Sequence, residues 1–165
     1  MKFILREEKK IRFFHGISRA NHKGTRYIIE AFKIIEQKYA DHAECIIRER
    51  TNLDHYLRDL ALVDVVVDQV FSSSTSMNSV HSMSLGKIVL GGGEPEYVNE
   101  FKLSRNECPL IPVSANVNTL VNAMEKIIQN KAQIPQLQNK AYKFVSEHHD
   151  AKKIALQYIQ TWQDF

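Results

Sequence analysis

The sequence predicts an α/β fold, a three-layer, doubly wound parallel sheet of about five strands. Short runs rich in β-branched residues alternate with segments of helical period. Those runs are apolar almost throughout rather than at every second position, as in strands covered on both faces. Their ends carry glycine, serine and basic residues, where an open parallel sheet places its ligand loops.

The first strand is expected over 11–16, where Ile11, Phe13 and Phe14 run into Gly16. Within 23–39, Ile28, Phe32, Ile35 and Tyr39 recur at spacings of four, three and four, one face of a helix. A second strand is expected at 43–47, a short helix at 53–60, and a third strand at 63–68, dense in valine. The serine-rich loop 72–76 opens into a helix over 77–85. The fourth strand, 87–90, stops at Gly91, Gly92 and Gly93, Pro95 suits a first helical turn, and the fifth strand is 110–113. Three helices close the chain. The first carries Val117, Leu120, Val121, Met124, Ile127 and Ile128 behind Ser114 or Asn116 as N-cap. The second starts at Pro135, and the third bears Ile154, Ala155, Tyr158, Ile159 and Trp162 on one stripe. Core packing is the expected role of Phe32, Tyr39, Phe144, Tyr158 and Trp162, while His148 and His149 are expected to face solvent.

Composition narrows the function classes. A length of 165 residues fits one domain, expected over 11–165 behind a linker-like segment, 1–10. A net charge of +3 admits an anionic ligand but is too small for a nucleic-acid partner. No apolar run reaches a membrane span, and the first ten residues lack the pattern of a signal peptide. Cys45 and Cys108 lie far apart and read as reduced thiols, so a cytoplasmic location is expected. The seven histidines show no zinc-site spacing, and neither a nucleophile elbow nor a P-loop occurs. No metal and no cofactor is expected.

Three loops remain as candidates. The first, 16–24, holds Gly16, Ser18, Arg19 and Lys23 and runs into a helix N-terminus, which suits an anion such as a diphosphate; a solvated basic loop is its plain alternative. The second follows Asp68 through Ser73, Ser76, Met77 and Asn78; its hydroxyls either cap the next helix or bind a phosphate or sugar. The third, Gly92, Gly93, Glu94 and Glu96, either lets backbone approach a ligand or simply shapes a helix start. Residue chemistry alone reaches a binder of a small anionic ligand.

The order of these segments resembles the C-terminal, donor-binding half of GT-B-fold retaining glycosyltransferases of the family-4-like group. The similarity runs from about Ile11 to Trp162. It is carried by the stretch from Phe14 to Arg19 with Lys23 and Gly24, by 63–68, by the segment from Ser82 to Val89, and by the glycine loop. The resemblance implies a Rossmann-like half of a two-domain enzyme whose substrate is a nucleotide-sugar. Gly16, Ser18, Arg19 and Lys23 would hold the donor diphosphate. Asp68, Ser73, Ser76, Met77, Asn78 and His81 would lie on the sugar or ribose side, with Gly92, Gly93, Glu94 and Glu96 lining the same crevice. The group's paired glutamates fall at Ser73 and His81, neither of them acidic. Cell-surface polysaccharide synthesis is the implied setting, with a saccharide or lipid-linked acceptor held by an N-terminal domain that this chain lacks. The chain alone is therefore expected to bind a donor without transferring sugar. Two readings compete: a non-catalytic binding module on the same fold, and a response-regulator-like unit, which would need acidic residues where this chain has His15 and Gly16.

Overall fold

The computed structural model describes residues 10–17, 23–72, 75–92, 95–104 and 106–163. Five strands, β1 (Ile11–Ile17), β2 (Ala43–Glu49), β3 (Val65–Val67), β4 (Ile88–Leu90) and β5 (Leu110–Ile111), form one sheet in the order β2-β1-β3-β4-β5. Every pairing is parallel. Between and after them lie α1 (Thr25–Lys38), α2 (Leu53–Leu62), α3 (Met77–Ser84), α4 (Pro95–Glu100), α5 (Val117–Gln129), a 3-10 turn (Lys131–Gln133), α6 (Ile134–His148) and α7 (Ala151–Gln163).

Alternation along each strand divides the core between two faces. Phe13, Val65, Val67, Ile88 and Leu90 pack with Ile28, Phe32 and Ile35 of α1 and Leu120 and Met124 of α5. On the other face, Phe14 and Val66 meet Leu60 of α2. Val89 there joins Met83 of α3, Tyr97 of α4 and Ala141 and Phe144 of α6. This is the expected three-layer architecture.

Local chemistry moves several boundaries. β2 runs two residues past the expected end at Ile47, because Arg48 and Glu49 stay in register with Gly16 and Ile17. β3 starts late because Val63 caps α2 and Asp64 turns back, its carboxylate accepting from the Arg12 N–H at 2.9 Å. Lys87 stays outside β4, its buried ammonium donating to the carbonyls of Ala61 and Val63, both at 2.8 Å. β5 is short: Pro112 has no N–H to give a ladder. Asn116 is the cap of α5, its side chain accepting from Asn118 and Thr119 N–H.

Two packing expectations are corrected. α7 buries none of its residues, and Tyr158 and Trp162, expected in the core, are 60% and 71% exposed. The amphipathic stripe is present, but no other described element covers it. His148 and His149, expected in solvent, are half-buried because their rings stack against Phe101 and Phe144, with centroids 4.7–5.6 Å apart. Among the described residues, no helix is long and apolar enough to cross a membrane.

Candidate functional site

From β1 the chain passes to β2 on one side, then returns to β3 on the other. The loops leaving β1 and β3 therefore diverge at one point of the sheet, where open α/β sheets hold their ligands. There Lys23 and Asp68 meet, with Lys23 Nζ donating to Asp68 Oδ1 at 2.8 Å. The Asp68 carboxylate is wholly buried, and the Lys23 side chain is 14% exposed.

Burying a carboxylate is costly unless its lone pairs are satisfied. Besides Lys23, Asp68 accepts from Asn78 Nδ2 at 2.9 Å, from Ser79 Oγ at 2.7 Å, and from Ser76 Oγ. Burial by itself pushes the carboxyl up, but Lys23 and the serine hydroxyls hold it below its ordinary value, so it is ionised. Ser76 is also the N-cap of α3, its Oγ accepting from the Ser79 N–H at 3.1 Å. The positive end of α3 thus already faces an anion supplied by the chain itself. Hydroxyls expected either to cap or to bind a ligand cap the helix and clasp Asp68.

Lys23 is fixed at its backbone as well. Its carbonyl accepts from the Val70 N–H at 3.2 Å, and its ammonium reaches Gly16 O at 3.4 Å. Gly24 follows in the left-handed region at φ +69°, with Val70 Cγ2 2.3 Å from where a Cβ would stand. That close approach requires glycine.

Beneath this pair lies His15, completely buried. Its Nδ1 donates to the Val67 carbonyl at 2.7 Å, so its Nε2 accepts from Thr25 Oγ1 at 3.0 Å. The ring ties β1, β3 and the first turn of α1 together, directly under Lys23. Burial foremost, with Lys23 adding to it, holds its pKa below 6.5. The unfolded chain therefore takes up the proton first, and stability is complete above pH 6.5 and drains as pH falls below it. We expect the urea midpoint to fall between pH 7.5 and 5, and less so in His15→Gln. His149, also lowered, supplies the part that remains in the variant. An equal slope in both proteins would refute the assignment.

On the β2 side a cavity of about 370 Å³ opens next to Lys23. Gly16, Ile17, Tyr56 and Asn78 form its inner wall, and Arg48 and Arg50 its outer end. Tyr56 packs edge-on against Phe14 at 5.4 Å, and its hydroxyl donates to Asn78 Oδ1. Desolvation foremost pushes that phenol up to about 12, so it remains a donor. The chain Tyr56–Asn78–Asp68–Lys23 links cavity wall to ion pair.

Of the residues expected in the site, Gly16, Lys23, Asp68, Ser76 and Asn78 come together here. Met77 and His81 are exposed on α3. Gly92 is buried at φ +67°, and Glu96 is exposed in the first turn of α4. Ser18, Arg19, Ser73, Gly93 and Glu94 lie outside the described residues. The sequence assigns no role to His15, Arg48, Arg50 and Tyr56, while Ser79 closes the second candidate loop, whose hydroxyls are expected to cap or to bind. The loop after β2 has no glycine to draw attention, yet a strand beside the switch point must contribute its carboxyl end. Among the described residues no three His, Cys, Asp or Glu side chains gather into a metal-holding group.

This geometry can be set beside known proteins. No family model and no curated protein matches the sequence. Solved structures do. The C-terminal domain of a group 1 glycosyltransferase from Francisella tularensis is similar at 17% identity and a TM-score of 0.61, with 86% of each chain covered. The chain carries a glycosyltransferase C-terminal domain fold. Sucrose-phosphate synthase from Thermosynechococcus elongatus is similar at 16% identity and a TM-score of 0.66, over 93% of this chain and 45% of that one. UDP-GlcNAc 2-epimerase from Neisseria meningitidis, solved with UDP-GlcNAc bound, is similar at 13% identity and a TM-score of 0.53, over 87% of this chain and 45% of that one. The chain thus spans about half the length of these two enzymes. That the glycosyltransferase fold also matches an epimerase leaves the reaction to be argued from the site.

Proposed function

We propose that this chain is the nucleotide-sugar-binding domain of a glycosyltransferase, with cell-surface polysaccharide synthesis as its setting. The observation that carries the reading is the Lys23 ammonium, held by buried Asp68 at the sheet's switch point and opening onto a cavity of the glycosyltransferase fold. An ammonium has three protons to give. One is committed to Asp68, while the 3.4 Å contact to Gly16 O is long enough to yield to a phosphate oxygen. Lys23 would then neutralise the charge that grows on the diphosphate as the glycosidic bond breaks. Asp68 keeps the ammonium aimed, and His15 holds the strands beneath it.

The other half of the reaction belongs to a second, acceptor-binding domain. The uncovered stripe of α7, with Tyr158, Ile159 and Trp162, supports such a partner. A cytoplasmic location, at the inner face of a membrane where the acceptor is lipid-linked, completes the proposal. A second reading, a binding module without turnover, is favoured by His81. Where the resembled group has an acidic residue, α3 presents an exposed imidazole.

Titration calorimetry with the diphosphates of uridine, guanosine and adenosine tests the donor site. At least one is expected to bind, and Lys23→Ala to weaken it about 10- to 100-fold, the span of a charge-assisted bond. Lys23→Ala combined with Asp68→Asn leaves no buried charge unpaired and should show the same loss in a folded protein. Undiminished binding in both variants would sink the proposal.

A further inference from the structure

The cavity beside Lys23 has a chemistry of its own at the end remote from the ion pair. Its floor is apolar: Ile17, Leu53 and the ring of Tyr56 present flat or aliphatic surface. Its outer end carries Arg48 and Arg50 beside Thr51, and among the described residues no carboxylate lines it. Arg48 lies in β2, its Nε fixed by Asp59 Oδ2 at 2.7 Å and its Nη1 reaching the Ile47 carbonyl at 3.4 Å, so its guanidinium plane is set. Arg50 follows the strand end at φ +49°, a left-handed turn uncommon for a non-glycine residue. Its side chain is 91% exposed, and the nearest acid, Glu49, stands 3.9 Å away, beyond hydrogen-bond distance. The cavity therefore offers an apolar slot that ends in two guanidinium groups, with the Thr51 hydroxyl beside them.

The two guanidinium forks discriminate among the bases. Guanine presents two adjacent acceptors, O6 and N7, which the fork of an arginine meets bidentately. Adenine sets an amino donor beside N7, and cytosine presents an amino donor; either turns hydrogen against hydrogen at a guanidinium. The uracil ring carries a single carbonyl on the corresponding edge, as thymine does, and uses half of the fork. A volume of about 370 Å³ is small among ligand pockets and suits a nucleoside rather than a whole nucleotide-sugar.

We infer that the donor's base is guanine, its ring lying on Tyr56 and Leu53 and its O6 and N7 read by Arg50 and Arg48. This rests on the donor-site reading above. The ribose then lies toward Asn78, and the diphosphate toward Lys23.

Calorimetry with guanosine, uridine, adenosine and cytidine diphosphates on the full chain decides it. Guanosine diphosphate is expected to bind at least about tenfold more tightly than each of the others, within the range that one bidentate pair contributes. Arg50→Ala, at an exposed position that leaves the core intact, and Arg48→Lys, which keeps a charge beside Asp59 but loses the fork, should each bring the guanosine-to-uridine affinity ratio toward one. Preference for uridine or adenosine diphosphate, or a ratio unchanged in both variants, overturns the assignment and leaves the donor site standing. If none of the four binds, the donor-site reading falls and this inference falls with it.

Discussion

Asp68→Ala should be the most damaging single substitution at the site, costing about 3–5 kcal/mol of folding free energy, the usual loss when one partner of a buried pair is removed. The reason is the geometry of the acceptor. Four donors, from Lys23, Ser76, Asn78 and Ser79, converge on one wholly buried carboxylate. Its removal strands an ammonium in the crevice and two hydroxyls at the start of α3. Asp68→Asn keeps the shape and one acceptor oxygen, so it should cost distinctly less. Urea denaturation followed by circular dichroism separates the two, and equal, small losses would show that the cluster does not hold the site together. Acid titration gives an independent check. The folded carboxyl lies below its ordinary 3.8, so its contribution is present above that value and is lost as pH falls through the folded pKa. His15 acts in a separate window, from pH 6.5 downward. Wild type should therefore lose stability in two acid steps, and Asp68→Asn should show a smaller lower one. The remainder comes from Glu107 and Glu125, whose carboxyls are also held below their ordinary value.

The sheet and most of its helices were legible because each strand is buried on both faces, which writes continuous apolar runs such as 63–67 into the sequence. The glycine-to-lysine loop and Asp68 were legible for a related reason. A charged residue closing an apolar strand, and a lysine entering a helix, both mark the end of the sheet that can hold a ligand. What could not be read was pairing across the chain. Nothing local says that Lys23 and Asp68, 45 residues apart, spend their charges on each other. Nor does it say that Tyr56 closes against Gly16, whose added Cβ would lie 2.6 Å from the ring. α7 shows the opposite failure. Its stripe has the period of a packed helix, and periodicity reports that a face is apolar without saying whether the cover belongs to the same chain.

Gly91→Ala is the second change expected to be severe, and it separates two roles for the glycines. Gly91 sits at φ +133°, and a Cβ there would stand 2.7 Å from the Gln69 carbonyl oxygen. A backbone atom cannot rotate away as a side chain does. Left-handed strain of about 1–3 kcal/mol adds to the clash. A total loss near 3 kcal/mol is expected, a fall in Tm of about 6–12 °C for a domain of this size. The chain that must move is the one that aims the site: Gln69 follows Asp68, whose N–H is held by Leu90 O at 3.0 Å, while the Gly91 N–H is held by Ile111 O at 3.0 Å. Gly91 thus serves the close packing of the loops after β3 and β4, not direct contact with a ligand. Gly16→Ala provides the contrast, because the atom in its way is the tip of the Tyr56 ring, which can swing outward. It should leave Tm within a few degrees and weaken nucleotide binding instead, since the displaced ring fills the cavity. Differential scanning calorimetry beside nucleotide titration reads both quantities. If Gly91→Ala melts like wild type, or Gly16→Ala lowers Tm as much as Gly91→Ala does, the division between a glycine that packs the sheet edge and one that shapes the pocket is wrong.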